Sequence, residues 1–452
     1  MNINAFLNKS CCLFGALFVL TNGLIAGLER PNIVFILADD MGQTQLGCYG
    51  GPYETPNLDK FCKQGMKFEN AYSSAAVCSP TRAAIMTGKY PARLHITDFI
   101  KGNSFPDKPL KQPNWQKFLP LSESTIGEAF KSLGYRTALF GKWHLSIEKA
   151  PPDSAPYNPD KQGFDEYMVT YKPVRRKTDP EKDPHNVDAI TDRSIRFLNE
   201  NKDHPFLLIV SHNSIHDPVM ESTKRIDRYR NSKGLKEWNI IPEIAAMVNR
   251  LDEGTGRLLD AIHRLGLEQN TLVVFTGDNG GKHSYADQVP FRAGKGWLYE
   301  GGIRAPLLVR LPGVIDEGSK SELVVSSIDF LPTFLEGVGE TAPSAIDGRS
   351  FWGELTGEEG ISSKPLFWHY PHYHGGSGMR PASAMLKGKY KLIEWHEALL
   401  TGSGNAYELY DLNEDVGETH NLVDTLPDVF RDMRKGLSEW KRRVGAQMPT
   451  VR

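Results

Sequence analysis

The amino-acid sequence predicts an α/β protein: a large, mostly parallel central sheet flanked by helices, then a smaller C-terminal antiparallel sheet with a closing helix. Three observations predict it. Short uninterrupted apolar runs alternate with stretches of helical periodicity, charged and metal-binding residue types stand directly behind each run, and the texture of the chain changes near Pro365.

The apolar runs are NIVFILA (Asn32 to Ala38), TALFG (Thr137 to Gly141), FLLIVS (Phe206 to Ser211) and TLVVFTG (Thr271 to Gly277). Continuous apolar runs of this length mark strands covered on both faces. Between them lie helical candidates at Ser124 to Leu133 and Ile244 to Leu265, and strand and helix in alternation give a parallel sheet. After Pro365 the segments LFWHY, SAMLKGKYKLIEW and YELYDL read as antiparallel strands, the middle one turning near Gly388-Lys389, and Pro427 to Arg443 reads as the closing helix. Residues 151 to 186, rich in Pro, Asp and Lys, read as a long surface loop.

With 452 residues, 40% hydrophobic and 24% charged, the chain is long enough to bury a sizeable core. A formal net charge of -2 gives no general attraction to nucleic acid or anionic membrane, so affinity for an anion must come from a local site. At the N-terminus, Lys9, the apolar run Cys11 to Leu20 and the pair Ala26-Gly27 follow the order of a secretory signal. The run falls short of the ~20 residues of a membrane span. Residues 1 to 26 are therefore expected to be removed, giving an exported, periplasmic or extracellular protein without a membrane span. The mature chain would keep Cys48, Cys62 and Cys78; the first two could pair, which leaves Cys78 to be explained.

Asp39-Asp40 follow the first apolar run, Lys142 and His144 the second, His212 and His216 the third, and Asp278-Asn279 the last. The carboxyl ends of strands form the ligand crevice of open α/β sheets, so these distant segments are expected to converge. Asp39, Asp40, Asp278 and Asn279 offer only hard oxygen ligands, which suits calcium or magnesium and not zinc. In VCSPTRAAIMTGKYPAR (Val77 to Arg93), Pro80 suits the first turn of a helix and would place Cys78 beside an N-terminus that favours an anion, with Arg82 one turn on.

Here the chain resembles the sulfatase family of the alkaline phosphatase superfamily, whose signature is C-x-P-x-R followed by a hydrophobic residue and T-G. Cys78, Pro80, Arg82, Met86, Thr87 and Gly88 match it. The likeness runs from PNIVFILADDMG at Pro31 to ELYDLNEDVGETHNL ending at Leu422, and includes GKWHL with Lys142 and His144 and GKGWLYEGGIRAP with Lys295. His216, in HNSIHDP, resembles a family histidine, with His212 as its competitor. Between Tyr90 and Leu119 nothing matches, so any substrate contact there is unassigned.

The resemblance implies an alkaline phosphatase-like fold, a catalytic domain over 27–364 and a C-terminal subdomain over 365–452. It implies one calcium ion held by Asp39, Asp40, Asp278, Asn279 and the modified Cys78. It further implies that a maturation enzyme converts Cys78 to formylglycine (3-oxoalanine). The hydrate of that aldehyde has two oxygens on one carbon: one attacks sulfur, and the second, once deprotonated, expels sulfate. Lys142 and Lys295 would bind sulfate oxygens, Arg82 would hold the nucleophile, His144 would take the proton that frees sulfate, and His216 would protonate the leaving alcohol.

The expected substrate is a sulfated polysaccharide or oligosaccharide, such as an ulvan, carrageenan or glycosaminoglycan fragment. Sugar contacts are expected from the glycine-rich loop His369 to Pro381, with His372, His374 and Arg380 as donors. A phosphomonoester or phosphonate monoester hydrolase of the same superfamily, and an inactive protein that binds sulfated glycans, are the alternatives.

Overall fold

Alternate residues of the strand Asn32–Ala38 (β1) enter two different cores, because successive side chains of a strand point to opposite faces. Ile33, Phe35 and Leu37 pack with Ile126, Phe130 and Phe334 on one face; Val34, Ile36 and Ala38 pack with Leu198, Met247 and Leu251 on the other. Each face is covered by helices, and this is why the run is apolar throughout. Phe35 meets Phe330 and Phe334 at centroid distances of 5.0 and 5.6 Å, so Phe35→Ala would cost about 3–5 kcal/mol.

The computed structural model describes residues 30–146 and 155–452; the segment 1–26 expected to be a secretory signal, with Cys11 and Cys12, lies outside the described residues. Besides β1, the central sheet comprises Met66–Phe68 (β2), Arg136–Gly141 (β3), Glu166–Val169 (β4), Phe206–Ser211 (β5), Thr271–Gly277 (β6), Leu307–Arg310 (β7) and Lys320–Ser321 (β8). Its 8 strands run in the order β8-β2-β7-β6-β1-β5-β3-β4. From β6 to β4 every pairing is parallel, and β7 alone runs against both its neighbours. The parallel block puts the ends of β1, β3, β5 and β6 on one edge, where the sequence has its charged residues. β4 falls within the stretch read as a surface loop: it is a half-buried edge strand, and its EYMV shows none of the continuous apolar character of the inner strands.

The helix Cys78–Thr87 (α1) is buried along its whole length. Pro80 sits in its first turn, where no N–H is required, and Gly88 ends it at φ 67°, its N–H returning to Ala84 O. Beyond it, Leu366–Tyr370 (β9), Ala382–Lys387 (β10), Tyr390–Trp395 (β11) and Tyr407–Asp411 (β12) form the antiparallel sheet in chain order. One face packs Trp368 and Ile393 against Val77, Leu298 and Ile303, so this sheet braces the segment that leads into α1. The helix Pro427–Arg443 covers the other face, with Trp440 stacked on Phe367 at 4.9 Å. Between the two sheets, Lys391 is fully buried and paired with Glu300 at 2.9 Å and Glu418 at 2.8 Å. Among the described residues no helix is long and apolar enough to cross a membrane.

Candidate active site

The chain leaves β1 through Asp39 and Asp40, and Asp40 adopts a left-handed backbone (φ 64°), which an aspartate tolerates better than most residues. Asp40 N–H donates to Asp278 Oδ1 at 3.0 Å, tying the end of β1 to the end of β6. Asp39, Asp40, Asp278 and Asn279 are all buried. The ligand atoms of Asp39, Cys78 and Asp278 lie within 4.8 Å of one another, and so do those of Asp39, Asp40 and His216.

Lysines balance the carboxylates. Lys142 Nζ donates to both oxygens of Asp39 at 2.7 Å, and Lys295 Nζ lies 2.6 Å from Asp40 Oδ1 and 2.7 Å from Oδ2. Burial lifts Asp39 to about 7, with Lys142 pulling it down and the crowding by Asp278 and Asp40 adding to the rise. Burial works the same way on Asp40, but Lys295, His216 and Lys142 outweigh it and hold that carboxyl well below the usual range. Both lysines are held above their ordinary values: burial opposes their charge, and Asp39 for Lys142 and Asp40 for Lys295 overcome it.

The residues fit a hard divalent cation. Asn279 Nδ2 donates to Asp40 Oδ1 at 3.0 Å and Gly280 O at 2.9 Å, which leaves Asn279 Oδ1 a buried acceptor without a partner among the described residues, beside the carboxylate cluster. An orphaned carbonyl oxygen in such company is what an oxygen-seeking cation requires.

Cys78, 2% exposed at the start of α1, lies with its Sγ 3.2 Å from His144 Nδ1. The other ring nitrogen, Nε2, meets Ile100 O. A carbonyl only accepts, so Nε2 carries the proton and Nδ1 faces residue 78 as an acceptor. Ile100 is held in turn by Ser79, whose Oγ accepts its N–H at 3.0 Å. Burial and then Lys142 keep His144 neutral, well below the ordinary histidine range. Arg82 spends its donors on Asp278 Oδ2 (Nε, 2.9 Å), Lys142 O (2.9 Å) and Ser211 Oγ (2.6 Å).

The cleft above Cys78 has a volume of about 480 Å³ and is lined by Asp39, Lys142, His144, His216, Lys295 and His374 among others. His216 Nδ1 donates to Asp217 O at 2.6 Å, leaving Nε2 3.8 Å from Asp40 Oδ2. Burial and the charge of Lys295 push His216 down to about 3. His212 is buried outside the cleft lining, so of the two histidines the fold brings His216 to the site. The C-terminal loop divides. His374 reaches the cleft wall, and Gly376 stands beside it. His372 does not: it is buried behind the wall, with Nε2 2.7 Å from Thr97 Oγ1 and its ring against Trp115. Nor does Arg380, whose guanidinium lies over the Trp395 ring at 4.9 Å. Several wall residues escaped the sequence reading: Phe99 to Lys101 and Asn103 from the unmatched segment, Tyr171 and Lys172 after β4, and the pair Asp217 and Lys282.

The family model described as Sulfatase matches residues 31–340. The chain belongs to the sulfatase family. Its members are sulfuric ester hydrolases of the alkaline phosphatase superfamily, and this protein is one of them. The model described as N-sulphoglucosamine sulphohydrolase, C-terminal, matches residues 291–443 of the sulfatase. Arylsulfatase A of Homo sapiens is 32% identical over 485 residues, covering 94% of this chain and 90% of its own. N-acetylgalactosamine-6-sulfatase of Homo sapiens is 30% identical, covering 75% of this chain and 68% of its own. Among solved structures, Ps i-CgsB in complex with k-i-k-neocarrahexaose superposes with a TM-score of 0.74 at 25% identity, covering 91% of this chain and 93% of that one.

Proposed function

We propose that this sulfatase releases sulfate from sulfated sugars of polysaccharide or oligosaccharide origin, through a formylglycine at position 78 and a calcium ion held by Asp39, Asp40, Asp278, Asn279 and residue 78. The observation that carries the mechanism is the meeting of Cys78 Sγ with the unprotonated Nδ1 of His144 at the floor of a lysine-lined cleft. The sugar class is supported by relatives named for N-acetylgalactosamine-6-sulfate and by the neocarrahexaose complex of a structural neighbour. Export, maturation by a formylglycine-generating enzyme, and division into a catalytic domain and a C-terminal subdomain near residue 364 belong to the same reading.

Calcium bound among the carboxylates would favour the ionised formylglycine hydrate, whose two oxygens serve for attack and for release. The chain's own residues supply the rest. Each lysine ammonium carries three donors, and Lys142 and Lys295 use only part of theirs on Asp39 and Asp40; the remainder can take sulfate oxygens. Burial and the charge of Lys295 hold His216 low, and sulfate bound there offsets the second of these, so its Nε2 gains affinity for the proton that the leaving sugar oxygen needs. His144 Nδ1 accepts the proton whose removal expels sulfate. Arg82 acts through Asp278 and the Lys142 carbonyl as a positioning residue.

The test is sulfate release by the mature protein from defined sulfated monosaccharides and oligosaccharides, beside the matched phosphate esters. Sulfate release with little phosphate release is the expected result; the reverse preference would overturn the proposal.

A further inference from the structure

Among the described residues, five lysines line the cleft, Lys101, Lys142, Lys172, Lys282 and Lys295, against two aspartates, Asp39 and Asp217. They sort by depth. Lys142 and Lys295 at the floor are 10% and 11% exposed and are matched by Asp39 and Asp40. The others stand towards solvent: the Lys172 side chain is 53% exposed and that of Lys282 28%, and Lys101 is exposed. Asp217 alone is shared by Lys282, in direct contact, and Lys172, at 3.7 Å. Among the described residues Lys101 makes no ion pair.

A sulfate monoester carries one negative charge, and the donors that the floor lysines keep free of Asp39 and Asp40 suffice to hold its oxygens. The outer lysines leave an excess of positive charge that a singly sulfated neutral sugar does not use. The same cleft is lined by the Tyr171 ring, 44% exposed, and Phe99, surfaces on which the apolar face of a sugar ring can lie.

Resting on the sulfatase reading above, we infer that the outer cleft is a second anion site, in which Lys101 and Lys172 bind an acidic group on the sugar next to the sulfate ester being cleaved. The substrate class is thereby narrowed to glycans carrying at least two acidic groups within neighbouring residues, the second a sulfate or a uronate carboxylate. Exposed lysines act through a screened field, so the preference weakens as ionic strength rises.

The experiment compares kcat/KM on three disaccharides with the same cleavable sulfate: one otherwise neutral, one with a second sulfate on the neighbouring sugar, one with a neighbouring uronate. The parent should favour a doubly charged substrate over the neutral one, and the better of the two identifies the acid. Lys101→Ala and Lys172→Ala should each reduce that ratio about threefold, and the double variant about tenfold. Added salt should reduce the parent's ratio in the same direction. Sulfate release at equal rates from all three, or a ratio that neither variant moves, would overturn the second anion site while leaving the sulfatase reading intact. No sulfate release from any of them, by protein with residue 78 converted, would overturn both.

Discussion

Arg82 and Asp278, 196 positions apart in the chain, form a buried ion pair in which Nε meets Oδ2 at 2.9 Å. Nη2 reaches the same oxygen at 2.8 Å, and neither side chain is more than 2% exposed. Removing one partner leaves the other charge buried and alone, so Arg82→Ala should destabilise the protein by about 3–5 kcal/mol and abolish turnover. Arg82→Lys keeps the charge but not the planar fork, and should retain more stability than Arg82→Ala while still losing most activity. Denaturant unfolding of the three proteins gives the comparison. Equal stabilities would mean that the pair does not hold the end of β6 to α1.

Residue 78 is the second target. Cys78→Ser nearly keeps the size of the buried side chain, but an unconverted serine hydroxyl has no second oxygen to expel sulfate, so the variant should fold with an unchanged thermal midpoint and lose nearly all turnover. Mass spectrometry of the active parent should find formylglycine at this position. A fully active protein with an unmodified thiol would end the proposed mechanism.

Metal removal should be visible in stability as well as in rate. The crowding that helps to raise Asp39 is relieved by a divalent cation, so calcium at a hundredfold excess over its Kd should stabilise the parent by about 2.7 kcal/mol. In Asp39→Ala and Asp278→Ala this calcium-dependent rise should vanish together with activity. A variant that keeps both the rise and stoichiometric calcium would remove its residue from the ligand set.

The C-terminal loop makes a prediction about two neighbouring positions. His374 stands on the cleft wall, so His374→Ala should lower kcat/KM on a sulfated oligosaccharide by about tenfold, more than on a small aryl sulfate. Arg380 lies over Trp395, so Arg380→Ala should show as a loss of about 0.5–2 kcal/mol in stability. A large loss of sugar turnover in Arg380→Ala with stability unaltered would reverse these assignments.

Asp98 predicts a slope in stability against pH. Burial lifts its carboxyl to about 7, although Tyr370 Oη donates to Oδ1 at 2.8 Å and the backbone N–H groups of Phe99 and Asn103 also favour the charged form. A carboxyl raised in the folded state binds its proton more tightly there than in the unfolded chain, so its contribution falls as pH rises from about 4 to about 7. Asp98→Asn should flatten this part of the unfolding free-energy profile by a few kcal/mol at most. Parallel profiles for the parent and Asp98→Asn would show that the carboxyl titrates normally.

Much of this was legible in the sequence, for identifiable reasons. β1, β5 and β6 match their apolar runs because strands covered on both faces cannot interrupt them, and the closing helix Pro427–Arg443 begins at its proline. β4 was hidden because a half-buried edge strand is short and mixed in polarity. The Ile100 carbonyl that sets the His144 tautomer was invisible because every residue has a carbonyl. His372 and Arg380 were misplaced for a related reason: a polar, glycine-rich loop announces donors but not the direction in which each side chain turns. Lys101 and Asn103 lie in a stretch without motif, and only the fold brings them to the cleft.

The pairing of β1 has a consequence for how the chain is made. Its partners on either side are β5 and β6, and Phe206, the first residue of β5, lies 174 positions after Asn32. At a synthesis rate of about 5–20 residues per second, β1 leaves the ribosome roughly 10 to 35 seconds before its nearest partner exists. Throughout that interval NIVFILA is an apolar segment without charge or proline, the composition that joins other chains edge to edge. Yield in a cell should therefore depend on holding chaperones during translation more than on the stability of the finished sheet.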